Sequence, residues 1–264
     1  GALTSSPGLG AAIETVSRYG TEAEAAVGAG YAISYPFGVL VVILAVNFIP
    51  LILGIDMERE REVFKREMAE ARSAAGTREV PEVSFDIAGF FLTIIIGYTI
   101  GSIRVPMGPL GYFSLGSTGG VLIGALLLGY MGKLGGIHFR MGSKVLGVIR
   151  EVSLAFFLSI VGLRYGYRVF DALVSGGAYL AFVSLVVGAF AILAGYLVGR
   201  HLFGINWVML SGAICGGMTS TPGLGAAIDA VGSDDPAAGY GAVYPFALLG
   251  MVMFSILLHR MPMS

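Results

Sequence analysis

Eleven residues occur twice in this chain with almost no change, and they are of kinds suited to holding an anion. Thr4 to Glu14 reads TSSPGLGAAIE and Thr219 to Asp229 reads TSTPGLGAAID, with nine of the eleven positions identical. In each copy a hydroxyl residue stands directly before a proline, Ser6 before Pro7 and Thr221 before Pro222. That order predicts a helix start, with the hydroxyl as N-cap and the proline at the first helical position, where its missing N–H is no loss. The first amides of such a helix have no partner within it and carry the positive end of its dipole, so a carboxylate is a natural guest. Gly8 and Gly10, with Gly223 and Gly225, let backbone approach closely, while Thr4, Ser5, Thr219 and Ser220 supply hydroxyls that donate or accept. Two such turns brought together would make one binding site for a small anionic or zwitterionic substrate.

A second pair follows each copy, GYAISYPF with Tyr31, Tyr35 and Pro36, then GYGAVYPF with Tyr240, Tyr244 and Pro245. Tyr35 and Tyr244 are candidates for lining a cavity, and interfacial tyrosines beside a proline kink explain them equally well. Glu14 and Asp229 are equivalent acids, but seven residues past the proline is about 10 Å along a helix, which puts them near its far, wetter end. The competing explanation of the motif is tight packing of small residues in lipid. Packing alone does not require a cap and a proline in both copies.

The elements that must carry these turns are membrane helices. Hydrophobic residues make up 56% of the chain, charged residues only 12%, and mean hydropathy is +0.83, well outside the range of soluble domains. Apolar segments at 35–53, 84–103, 117–134, 144–166, 177–200 and 244–259 are each long enough to be a span. Between the last two, 205–231 is too short per half for one clean crossing and reads as a broken element. Residues 56–82 form the one charged stretch, with Met57, Phe64, Met68, Ala71 and Ala75 at helical spacing. They predict an amphipathic helix followed by an extended lead-in at Pro81, with a solvated linker along the membrane surface as the simpler role. Its excess of Arg and Lys assigns it to the cytoplasm.

The fold class is therefore all-α and polytopic, with two related repeats carrying broken helices or re-entrant hairpins. The first repeat begins in mid-motif, so about 130 residues before Thr4 are expected by comparison with the stretch before Thr219, and no signal peptide is read at the start. The organisation is 1–55 as the end of one repeat, 56–82 as linker and 83–264 as the second repeat. If 205–231 is a hairpin, each repeat has five crossings and the two are inverted, the favoured arrangement; if it crosses, they are parallel. Region 13–34, poor in basic residues, fits an outside loop. Paired broken helices at a repeat interface are how secondary transporters hold substrate at the midplane. The alternative is a cation:proton antiporter or ion channel with the same broken elements, but no acid lies between Gly204 and Thr221. Neither nucleic-acid binding nor a metal or other cofactor is expected, since there is no basic stripe, Cys215 is the single cysteine, and His138, His201 and His259 are scattered. A hydrolytic enzyme is remote, because Ser6 and Ser220 lack a repeat-linked histidine base.

With GGMTSTPGLGAAID, TSSPGLGAAIE, both YPF helices and the glycine-rich SLGSTGGVLIGALLLGYMG in hand, the chain resembles the aspartate:alanine exchanger family over nearly its whole length. The resemblance implies an electrogenic exchanger or exporter of small carboxylates or amino acids such as aspartate, alanine or succinate, in a bacterial or archaeal inner membrane. Familiar members carry a regulatory domain between their halves, and 56–82 is too short to hold one. A core of hairpins and YPF helices moving against a scaffold that includes 84–103 and 117–134 is the expected working arrangement, and glycine-rich segments suited to a sliding or dimerising face lead to the expectation of a homodimer.

Overall fold

In a computed structural model of the protein, the described residues are 1–74, 83–106, 112–113, 116–142, 144–150, 152–153, 155–156, 159, 163 and 177–260. The chain divides into two compact units, one formed by Gly1–Met68 with Ile160–Ser264 and the other by Ala69–Ser159. Most of the described chain is helical, with two short two-stranded ribbons.

The first unit opens with α1 (Ser6–Val16), a turn of 3-10 helix, and α2 (Thr21–Ile52). Gly20, at φ +98°, lets the chain reverse between them. Region 13–34 is thus helical rather than a loop, because α2 starts at Thr21 with Glu22 and Glu24 in the first turn, where acids favour the helix dipole. Hydropathy alone passes over those polar turns. At 32 residues α2 is about 48 Å long. After α3 (Met57–Ala74), the unit resumes with α6 (Ala178–Leu197), which runs into a π turn at Val198–Leu202. Then come α7 (Trp207–Gly217), α8 (Thr221–Val231) and α9 (Pro236–Arg260).

Helices α7 and α8 have 11 residues each, about 17 Å, roughly half the hydrocarbon thickness. They are the two arms of one hairpin. Val208 at the start of α7 and Val231 at the end of α8 are both fully buried against Phe64 of α3. α7 lies against α9 with backbones nearly touching: a Cβ on Gly212 would strike the Pro236 carbonyl, and one on Gly216 would meet the Tyr240 carbonyl at 2.7 Å. The short helices exchange partners, α1 packing on α9 and α8 on α2. Gly223 of α8 sits against Val42, and Gly8 of α1 against Ser255.

The described helices long and apolar enough to cross a membrane are Thr21–Ile52, Ala178–Leu202 and Pro236–Ser255, with shorter apolar helices at Ile87–Ser102, Gly120–Met131 and Trp207–Gly217. Large apolar side chains face outward along them, Leu44, Phe48, Phe182, Phe190 and Phe254 among them. An outward apolar surface of this extent belongs in lipid. The protein is a helical membrane protein.

The second unit holds α4 (Ile87–Ser102) and α5 (Gly116–Met131), with ribbons pairing β1 (Val105–Pro106) to β2 (Tyr112–Phe113) and β3 (Lys133–Leu134) to β4 (Ile137–His138). Asp86 caps α4, accepting from the Gly89 N–H at 2.9 Å and from the His138 N–H at 2.9 Å. Those two N–H groups, with His138 Nδ1 at 3.5 Å, hold its carboxyl below the usual carboxylate range. Three glycines of these two helices make their mutual contact. Gly97 and Gly120 bring α4 and α5 into backbone contact, where a Cβ on either would collide with the other helix's main chain, and one on Gly124 would lie 2.8 Å from Gly97 Cα. The expected lead-in at Pro81 and part of the expected segment 144–166 lie outside the described residues, and the described residues of that segment are helical.

Candidate functional site

The two copies of the motif, some 215 residues apart, meet and exchange hydrogen bonds. Thr4 Oγ1 donates to the carbonyl of Met218 at 2.9 Å, and Thr219 Oγ1 donates to the carbonyl of Leu3 at 2.9 Å. Each threonine therefore bonds to the residue just before its own counterpart. Both stand in the left-handed region, Thr4 at φ +54° and Thr219 at φ +53°. For a β-branched residue that conformation costs about 1–2 kcal/mol and persists only where surrounding contacts over-determine it. The crossed pair is such a contact, and both side chains are buried.

The capping residue lies one position earlier than the sequence suggested. Ser5 Oγ accepts from the Gly8 N–H at 3.1 Å, and Ser220 Oγ from the Gly223 N–H at 3.2 Å. Ser6 and Thr221 are therefore the first residues of α1 and α8, with Pro7 and Pro222 second. The reason is the left-handed threonine. It turns the chain so that the next residue, extended at φ −86° for Ser5 and φ −96° for Ser220, takes the N-cap geometry.

This shift changes what remains open to a ligand. The third amide of each helix is held by its cap, the second position is proline and has no N–H, and the first amide, of Ser6 or Thr221, has no intrahelical partner. Ser6 and Thr221 are exposed beside it, each sharing a hydrogen bond with a tyrosine of the following helix. Ser6 Oγ lies 3.2 Å from Tyr31 Oη, and Thr221 Oγ1 lies 3.4 Å from Tyr240 Oη. Ser5, Ser220, Pro222, Gly223 and Gly225 are buried, whereas Gly10 is exposed with open space around its Cα.

Tyr35 and Tyr244 are buried behind these tyrosines, ring against ring, at 5.4 Å from Tyr31 and 4.9 Å from Tyr240. Contact with the motif hydroxyls thus falls to Tyr31 and Tyr240, which sequence reasoning noticed but did not place in the site. The signal was available: Tyr31 and Tyr240 stand one helical turn before Tyr35 and Tyr244, on the same face. Asp229 is exposed and Cys215 fully buried.

The whole arrangement has approximate two-fold character: crossed threonines, two capped half-helices and two hydroxyl–tyrosine pairs. Backbone groups at helix ends that meet among apolar helices need partners from the protein itself or from enclosed water. Residues 1–51 and 89–260 match a family described as a predicted permease membrane region. Over 61% of its length the chain is 36% identical to an uncharacterized transporter of Bacteroides thetaiotaomicron, covering 30% of that protein. It is 34% identical over 78% of its length to one from Geobacter sulfurreducens, covering 38%, and 33% identical over 69% to one from Rhodopirellula baltica, covering 34%. The chain spans about a third of the length of these curated relatives. No solved structure matches it significantly. The chain belongs to that family, the aspartate:alanine exchanger family.

Proposed function

We propose that the chain forms part of a secondary active transporter, an exchanger or exporter of small carboxylates or amino acids such as aspartate, alanine or succinate. The observation that carries this reading is the reciprocal bonding of Thr4 and Thr219, which brings two half-helix starts to one place. The Ser6 and Thr221 amides and hydroxyls beside it form a donor set suited to a carboxylate. The matched family and the transporter names of its relatives support the same direction.

In this reading 1–55 and 83–264 belong to inverted repeats, joined through the cytoplasmic linker 56–82. The meeting of Val208 and Val231 at Phe64 supports a hairpin that enters and leaves on one side. Ser264 then lies outside in a multi-pass inner-membrane protein. Substrate moves as hairpins and YPF helices shift against a scaffold in the manner of an elevator. A homodimer is part of the proposal.

Counterflow in proteoliposomes is the test. Liposomes loaded with unlabelled aspartate, alanine or succinate should transiently accumulate the labelled compound from outside. Absence of counterflow with all three, together with an ion current in their absence, would favour the channel reading instead.

A further inference from the structure

Both ends of the hairpin Trp207–Val231 rest on one helix, and that helix comes from the charged linker. At the first end, Glu60 accepts the Trp207 N–H, while its two carboxylate oxygens take Arg200 at 2.5 and 3.1 Å. Arg200 donates as well to the Ile205 carbonyl at 3.2 Å. Asn206, which caps α7 through the Met209 N–H at 2.9 Å, donates to Glu67 at 2.8 Å. At the second end, Arg61 donates to the carbonyl of Val231, the last residue of α8. Phe64 sits between, packed on Val208 and Val231, with Met57, Met68 and Met209 around it.

This is more than the solvated linker that the charge pattern suggested. Glu60 is only 7% exposed although α3 is the most charged helix of the chain. A carboxylate is buried where it meets the amino end of α7, and a guanidinium reaches the carboxyl end of α8. Each charge faces the helix end whose dipole it complements. The arms between are rigid 11-residue helices, with α7 pressed at Gly212 on the α9 backbone. A displacement of their feet is therefore carried along the arms to the Met218–Ser220 turn rather than absorbed on the way.

We propose that α3 is a clamp on this hairpin, and that Glu60 and Arg61 are positioning residues that fix the turn bearing Thr219, Ser220 and Thr221. The clamp rests on the proposed reading of that turn as half of a substrate site. Glu60 and Arg61 touch no substrate and act through the hairpin alone.

The test uses the full chain in detergent or nanodiscs, in a Cys215→Ala background. It compares Glu60→Ala, Glu60→Gln, and Glu60→Ala carrying Phe64→Cys and Val231→Cys, whose disulfide is verified by mass. Affinity for labelled aspartate should fall about tenfold in Glu60→Ala, within the range of long-range coupling. It should recover in part in Glu60→Gln, whose amide oxygen still accepts the Trp207 N–H. It should recover in the oxidised double-cysteine protein and be lost again on reduction. Amide hydrogen exchange, read without ligand, should accelerate in Glu60→Ala over 207–232 and not elsewhere. Wild-type affinity in Glu60→Ala, affinity that stays low once the disulfide has formed, or exchange that is unchanged or raised throughout would each overturn the clamp. If the wild type binds none of aspartate, alanine and succinate, the transport reading fails, and the exchange pattern alone decides the clamp.

Discussion

Ser220 and Thr221 are adjacent, yet the structure gives them opposite sensitivities, and that contrast tests the site directly. Ser220 is fully buried and accepts the Gly223 N–H at 3.2 Å. Ser220→Ala removes the cap, at a cost of about 1 kcal/mol, and up to about 2 where the freed amide stays dry. Thr221 is exposed at the first position of α8. An aspartate there lies with the helix dipole and should leave stability unchanged or raise it by about 0.3–1 kcal/mol. For an incoming carboxylate the balance reverses. Two like charges about 4 Å apart at an effective dielectric of about 20 repel by about 4 kcal/mol, nearly a thousandfold in affinity. Thermal unfolding and equilibrium binding of labelled aspartate should thus separate the variants, Ser220→Ala folded less stably and Thr221→Asp stable but unable to bind. The equivalent changes at Ser5 and Ser6 should behave alike. A stable Thr221→Asp protein with wild-type affinity would refute the placement of the anion at this helix start.

The crossed threonines should be thermodynamically coupled: Thr4→Val and Thr219→Val should each destabilise by about 1 kcal/mol, and their double-mutant cycle should depart from additivity by about 0.5 kcal/mol or more. An additive cycle in thermal denaturation would mean that the two bonds form independently. Gly97→Leu should cost at least about 1–3 kcal/mol by forcing α4 from α5, and the more conservative Gly97→Ala should already lower the melting temperature. Asp86 has its carboxyl held below the usual range, so it contributes stability above its unfolded value of about 4 that is lost as pH falls through the lower folded value. Asp86→Asn, monitored by acid titration of intrinsic fluorescence, should lose stability at neutral pH and flatten that acid limb.

The sequence carried the duplicated turns and the need for lipid, because both are local: one is an eleven-residue identity, the other a sum over side chains. It misplaced the cap by one residue because three consecutive hydroxyl residues precede each proline, and each of the three can cap. Only the left-handed backbone of Thr4 and Thr219 chooses among them, and that is fixed by a partner more than two hundred residues away. The helical spacing of Met57, Phe64 and Met68 was visible, but what they face was not. Glu60 and Arg200 lie 140 residues apart, and neither stands out from its charged or apolar neighbours. The glycines of α4 and α5 read as a packing face and are one. Composition could not say that the surface they pack on is the other helix of the same chain.

The separation of Thr4 from Met218, 214 residues, also sets an order of events during synthesis. At about 5–20 residues per second, some 10–40 s pass between the emergence of the first turn and that of the second. Throughout that interval α1, about 17 Å long, is too short to cross the hydrocarbon by itself, and its threonine has no carbonyl to hold it in the left-handed form. The strained turn therefore closes only when the ribosome has nearly finished the hairpin that completes it.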